Sequence, residues 1–163
     1  DVPIARSPRD RKVFDVAVEG RSAVTEYYVE EYFSHFDEAK WLELFKTNTL
    51  QNVNYHYEGN HKNYFKIYQG FSLVKCLPKT GRTHQIRVHM QSIGHPLVGD
   101  AVYGGKLIKK DSIIQQLNTN FLRQALHAQR LTLSHPESEE TMAWEAPLPN
   151  DLSVLLQALR EHS

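Results

Sequence analysis

Residues 78–105 read PKTGRTHQIRVHMQSIGHPLVGDAVYGG, and the turns and helix expected in this stretch organise the rest of the chain. Thr80-Gly81 marks a turn, and Thr83 stands where the N-cap of a helix belongs. Ile86, Met90 and Ile93 recur at i, i+4 and i+7, which predicts one apolar face on a helix of about ten residues. Gly94 falls where a C′ glycine belongs, with Pro96 just beyond it. Val98 to Gly105 is glycine-rich and reads as a loop. Two guanidiniums, an imidazole and an amide (Arg82, Arg87, His84 and Gln85) crowd the helix start. Free backbone N–H groups at such a start attract anions. Arginine adds a planar fork for phosphate or carboxylate. The pattern suits an acidic partner.

Outward from this segment, Phe71 to Leu77 alternates as a strand and Pro78 stops it. Val13 to Val18 reads as a strand ending at Glu19-Gly20. Ala23 to Phe33, dense in Val, Thr and Tyr, reads as a second, with Gly20-Arg21-Ser22 as a tight connection between the two. Residues 34–69 form a candidate insertion. Within it, Phe36 to Phe45 has the spacing of an amphipathic helix, and Thr47 to Asn63 is polar and Asn-rich, as in a long functional loop. Ile113 to Leu122 reads as a short helix. Ala125 to Leu133 and Thr141 to Glu145 read as a hairpin around His135-Pro136-Glu137-Ser138. A last helix, capped by Asn150 or Asp151, turns Leu152, Leu155, Leu156 and Leu159 to the core. The expected class is α+β, a mixed, largely antiparallel sheet with flanking helices.

The 163 residues suit one domain. The hydrophobic set is 40% and the charged set 23%, which is globular composition rather than that of a disordered chain. A single cysteine, Cys76, excludes an internal disulfide framework and any multi-cysteine zinc site, and it reads as a core thiol. His84 and His89 are not the i, i+4 pair of a helical zinc site, so no metal is expected. No run approaches about 18 apolar residues, and the N-terminus lacks the apolar stretch of a signal peptide, which leaves an intracellular domain. Nineteen basic residues balance nineteen acidic ones. From His61 to Lys110, however, nine bases face the single acid Asp100, a local balance of +8. Such a stretch either presents a positive face to a polyanion or is neutralised in space by the acidic remainder.

GRTHQIRVH at 81–89, followed by GHPLVGDAVYG at 94–104, resembles the RluA-like family of RNA pseudouridine synthases. Leu126-His127-Ala128, Leu131 and His135-Pro136 are similar to that family's LHA…L…HP strand, with His127 read as a buried strand histidine. Ala146-Pro147-Leu148-Pro149 with Asp151-Leu152 is similar to its approach to the last helix. Pro3-Ile4-Ala5-Arg6 and Ala23-Val24-Thr25-Glu26-Tyr27 resemble its early strands. The matching blocks keep the family's order from end to end, with residues 34–69 the part that has no counterpart.

The resemblance implies a pseudouridine synthase catalytic-domain fold and an enzyme that isomerises uridine to pseudouridine in rRNA or tRNA. Such enzymes flip the base into a pocket, break the N-glycosidic bond, turn the uracil and rejoin it through C5, using neither cofactor nor metal. The essential residue is an aspartate, paired with the basic residue after the motif's glycine, which here is Arg82. Ile86 falls at the apolar position that shapes the uracil pocket. His84 and Gln85 are expected at that pocket or ordering the turn before it. Lys79, Arg87 and Lys106 are expected to contact RNA; Arg87 reads equally as an internal salt bridge, and Lys106 as a solvated loop residue. Asp100 reads as a structural hydrogen-bonding carboxylate, and Tyr103 either lines the site or packs under the glycine loop. The family's aspartate lies in an H-R-L-D-x-x-T-S-G block, and the 163 residues contain none. The chain is therefore expected to be the C-terminal part of the catalytic domain, a single truncated unit over 1–163, inactive alone. Its unpaired sheet edge should invite a dimer. The alternative is a non-catalytic RNA-binding module built on the same fold.

Overall fold

Strands β1 (Ile4–Arg6) and β2 (Phe14–Val16) pair antiparallel in the computed structural model, which describes residues 1–34, 70–104, 121 and 123–162. β3 (Thr25–Ser34) pairs antiparallel with β4 (Gly70–Pro78), with a bulge between Val29 and Glu31. Helix α1 (Gln85–Ser92) follows. β5 (Arg130–Ser134) then forms a hairpin with β6 (Thr141–Glu145), and helix α2 (Asn150–His162) ends the described chain. The class is α+β and every pairing is antiparallel, as expected. Among the described residues the strands fall into three two-stranded sheets rather than one. The readings of Phe36–Phe45, Thr47–Asn63, Ile113–Leu122 and Lys106 lie outside the described residues.

The tight connection expected at Gly20-Arg21-Ser22 does not pair the strands on either side of it: β2 pairs with β1, and β3 with β4. The Gly20 amide bonds to the Ala17 carbonyl at 2.8 Å, which turns the chain back along β1 instead. Ile4 and Arg21 then exchange both backbone hydrogen bonds, at 3.0 and 2.8 Å. Gly20 must be glycine there, because a Cβ would stand 2.5 Å from the Ile4 carbonyl carbon. The strand expected from Ala125 begins only at Arg130. Before it, Ala125 N–H bonds to Val98 O and the Arg123 guanidinium bonds to Leu126 O, which ties this stretch to the glycine loop and to itself.

Two apolar clusters hold the elements together. Leu152, Leu155, Leu156, Ala158 and Leu159 of α2 pack on Phe33 and Phe121, with Phe71, Leu73 and Val98 against them. Burying such side chains contributes about 1.5–3 kcal/mol each. The leucine periodicity read in the sequence is thus the core face of this helix. Asp151 lies one residue inside α2 rather than capping it. Its carboxylate sits at the positive helix end, accepts the Leu152 N–H and chelates Arg123 at 2.7 and 2.8 Å. The second cluster joins Ile4, Ala23, Val88 and Tyr103, with Val13 and Phe14 packed against it. It seats α1 and the 98–104 loop against the β1–β2 hairpin.

Candidate functional site: the α1 N-terminus and its clamp

Helix α1 starts one residue later than Thr83 suggested. His84 is its N-cap, in the left-handed region at φ 56°, ψ 20°, and supplies no side-chain cap. The cap function passes to Gln85, whose Oε1 accepts from the Arg82 N–H at 3.0 Å and from the Thr80 hydroxyl at 2.7 Å. Its Nε2 donates to Val24 O at 3.0 Å and to Thr25 Oγ1 at 2.9 Å. One buried amide thereby fastens the Thr80–Arg82 turn to the start of β3. The C-terminal end is as expected: Gly94 has φ 84°, its N–H bonds to Gln91 O, and His95 N–H reaches Met90 O, the two bonds of a Schellman motif.

The helix face that enters the protein is not the Ile86–Met90–Ile93 stripe. Gln85, Val88, His89 and Met90 are buried, whereas Ile93 is 46% exposed and Ile86 is partly buried. Two polar residues can face inward because each finds partners. His89 Nε2 lies 3.1 Å from Val2 O, and a carbonyl can only accept, so Nε2 carries the proton. Nδ1 then accepts from Thr25 Oγ1 at 2.9 Å. The Thr25 hydroxyl, between Gln85 and His89, is satisfied as both acceptor and donor. Hydropathy has no signal for this network; only the i, i+4 spacing of Gln85 and His89, read as a buried face, could have found it.

Asp100 is a buried structural carboxylate. Burial pushes its pKa up, but the Arg87 hydrogen bonds and the backbone amides of Tyr103 and Val102 outweigh this and hold it below the ordinary carboxylate range. Arg87 meets it in a two-pronged pair at 2.7 and 2.8 Å. The same guanidinium lies over the Tyr103 ring, 4.8 Å from its centre. Of the two readings of Arg87, the geometry supplies the internal salt bridge. Tyr103 is buried; its hydroxyl accepts the Phe14 N–H at 2.9 Å and lies 3.0 Å from His84 Nδ1. Burial, and then the Arg87 charge, lower the His84 pKa, and its Nδ1 shares a hydrogen bond with the Tyr103 hydroxyl.

Arg82 is left with its charge available. Its Nε donates to Ser22 O at 3.0 Å, and its backbone N–H and C=O are both bound to Gln85. The two terminal nitrogens have no partner among the described residues, so a guanidinium fork on a fixed backbone is open to an oxyanion. Lys79 pairs with Glu26 at 3.1 Å on the surface. Cys76, expected in the core, is half-buried on β4, and burial raises its pKa. His127, expected buried in a strand, precedes β5 and is half-buried, its Nε2 donating to Ala146 O at 3.1 Å. Among the described residues no three His, Cys, Asp or Glu side chains could together hold a metal ion, and no helix is long and apolar enough to cross a membrane.

No protein-family model matches the chain. Curated relatives do. It is 39% identical over 160 residues to a ribosomal large subunit pseudouridine synthase D of Nitrosomonas europaea, covering 98% of this chain and 36% of that protein. It is 38% identical over 167 residues to the protein of the same name from Xanthomonas campestris, covering 100% of this chain and 40% of the relative. An uncharacterized RNA pseudouridine synthase of Bacillus subtilis is 35% identical over 162 residues, 99% of this chain and 39% of its own. Among solved structures, the human RNA pseudouridylate synthase domain containing 1 shares the fold, with TM-score 0.53 and 23% identity over 98% of this chain and 57% of that one. The chain spans about two fifths of the length of the curated relatives it matches. On these likenesses, and on the GRTHQIR turn and GD loop whose geometry is given above, the chain belongs to the RluA-like family of RNA pseudouridine synthases.

Proposed function

We propose that this chain supplies the Arg82 side of the active site of a pseudouridine synthase acting on ribosomal RNA inside the cell. The observation that carries the reading is the open Arg82 fork, with its backbone clamped at both ends by Gln85 and its terminal nitrogens unpaired among the described residues. In the reaction, a carboxylate from outside this span meets Arg82. The opposite charge holds that carboxylate ionised while the uracil leaves C1′ and returns through C5. Ile86, partly buried on α1, forms an apolar wall for the flipped base. Gln85 acts on the turn rather than on the base, since its polar atoms are engaged within the fold; His84, with only Nδ1 engaged against Tyr103, borders the pocket. Lys106 contacts the RNA backbone, and Lys79 does so by exchanging its exposed pairing with Glu26 for a phosphate. Residues 34–69 connect β3 to β4 and act as an insertion that selects the RNA. An exposed sheet edge also leaves a dimer open to this chain.

A chimera tests this. The chain replaces the aligned 160 residues of the Nitrosomonas europaea relative, and tritium release from 5-tritiated uridine in large-subunit RNA is followed. The chimera should turn over, and Arg82→Leu should slow it by at least about a hundredfold, the scale of losing one oriented charge at a transition state. Deleting 35–69 should change which uridine reacts. A folded chimera that binds RNA without releasing tritium overturns the enzyme reading and leaves the RNA-binding module.

A further inference from the structure

Tyr103 stands where the 98–104 loop, the β1–β2 hairpin and the start of α1 meet. It is buried and fixed from several directions. Its backbone N–H donates to Asp100 Oδ1 at 3.0 Å, its ring packs with Ile4, Ala23 and Val88, and the Arg87 guanidinium covers that ring. Its hydroxyl accepts the Phe14 N–H at 2.9 Å and shares a 3.0 Å hydrogen bond with His84 Nδ1. The His84 imidazole is thereby seated: it crosses the Phe14 ring at 81° with centres 5.9 Å apart, and the Tyr103 ring at 75° and 5.6 Å. At φ 56° His84 adopts a conformation that disfavours any residue with a Cβ, yet it does nothing for the helix start, which Gln85 secures. Backbone strain of this kind persists where a side chain is needed in one place.

On the pseudouridine synthase reading above, we propose that Tyr103 is a positioning residue of the reaction, whose hydroxyl holds the His84 imidazole so that Nε2 hydrogen-bonds the flipped uridine beside the Arg82 fork. Nε2 is the atom left over. It has no partner among the described residues, and His84 lies two residues from Arg82, whose terminal nitrogens are equally open. The flipped nucleotide shows carbonyl and hydroxyl oxygens and the uracil N3–H, so it can partner Nε2 whichever ring nitrogen carries the proton. A loose imidazole loses rotamer freedom each time it meets substrate; one pinned at Nδ1 has lost it beforehand. The contact forms only after the base has left the stack. It therefore acts on the chemical step and not on the first binding of RNA. Tyr103 itself, with its hydroxyl committed to Phe14 and His84, does not touch the uridine.

The chimera described above, carrying Tyr103→Phe, His84→Ala or both, tests this through tritium release. Each single change should lower kcat about tenfold and leave KM within about twofold, and the double variant should be no slower than His84→Ala. A wild-type rate in His84→Ala overturns the proposal. So does a double variant slowed by the product of the two single effects, because Tyr103 would then act through the fold and not through His84. Carbon-13 labelling of the histidine rings adds a readout that needs no turnover. The ring signal missing from His84→Ala should move when a uridine-bearing stem-loop of large-subunit RNA is added to the unchanged chimera, and should stay in place in Tyr103→Phe. A signal that RNA leaves unmoved in the unchanged chimera, or moves equally in both, sinks the proposal even where tritium is released. A signal that moves without tritium release sinks the enzyme reading alone. Should Tyr103→Phe not fold, His84→Ala, which keeps the bond between Tyr103 and Phe14, and the ring signal of the unchanged chimera still decide the outcome.

Discussion

The side-chain amide of Gln85 uses both of its atoms twice, in a site that is 4% exposed. Gln85→Met keeps the length and removes the polar atoms, which strands the Arg82 N–H and the Thr80 hydroxyl away from water. A loss of about 2–4 kcal/mol is expected in urea unfolding. A loss below about 1 kcal/mol would mean that water replaces the amide. The histidines make the fold acid-sensitive. Burial, first, lowers the pKa of both His84 and His89 from 6.5. The unfolded chain then binds protons before the folded one, so their contribution is complete above about pH 7 and is lost as pH falls through 6.5 toward the folded values. Asp100, depressed from 3.8, keeps its contribution until stronger acid. The urea midpoint should therefore drop between pH 7.5 and 5.5, and less so in His89→Gln. Equal midpoints in the wild-type chain would show that the buried imidazoles carry no such linkage.

At the scale of elements, α1 is held at its two ends by different devices. Its start depends on a side chain from within the helix, because His84 occupies a left-handed backbone conformation and caps nothing. Its end depends on Gly94, and the loop beyond on Gly99 at φ 71°. A Cβ on Gly99 would collide with the carbonyl oxygens of Arg123 and Phe121. Gly99→Ala is expected to cost at least about 2 kcal/mol, read as a fall in thermal midpoint, since backbone rather than a flexible side chain must move. The same change should shift Asp100, its neighbour, away from Arg87, and an NMR signal of the Arg87 Nε–H that keeps its position would contradict this. The β5–β6 hairpin is the reverse case: its register is complete, but every residue of both strands is exposed.

Across the whole molecule, the basic stretch from 61 to 110 is less basic in space than along the chain. Among its described members Arg87 is taken by Asp100 and Lys79 by Glu26, whereas Arg82 has no ion pair. Each phosphate contact steepens the fall of log affinity with log salt by about 0.7 for a single strand and about 0.9 for a B-form DNA duplex. With an RNA stem-loop followed by anisotropy, Arg82→Ala should reduce the size of that slope by about one contact in this chain taken alone, where the fork is not engaged by the carboxylate from outside the span. Arg87→Met, if it remains folded, should leave it unchanged. A reduced slope in folded Arg87→Met would return Arg87 to the RNA interface.

The sequence by itself determined what is written within a few neighbouring residues. Gly94 ends α1 because only a residue free of a Cβ reaches φ 84° easily, and the leucines of α2 share a face because their spacing matches the helical period. Asp100 was legible as a hydrogen-bonding carboxylate, and the order of motif blocks carried the family. Tertiary structure decided which groups meet. β2 chose β1 over β3, Arg87 chose Asp100 over the surface, and Gln85 and His89 displaced Ile93 from the buried face of α1. Those choices depend on partners far along the chain: Thr25 lies 60 residues from Gln85, and Val2 lies 87 from His89. A polar side chain is worth burying only when such partners are already in place, and local periodicity contains no record of them.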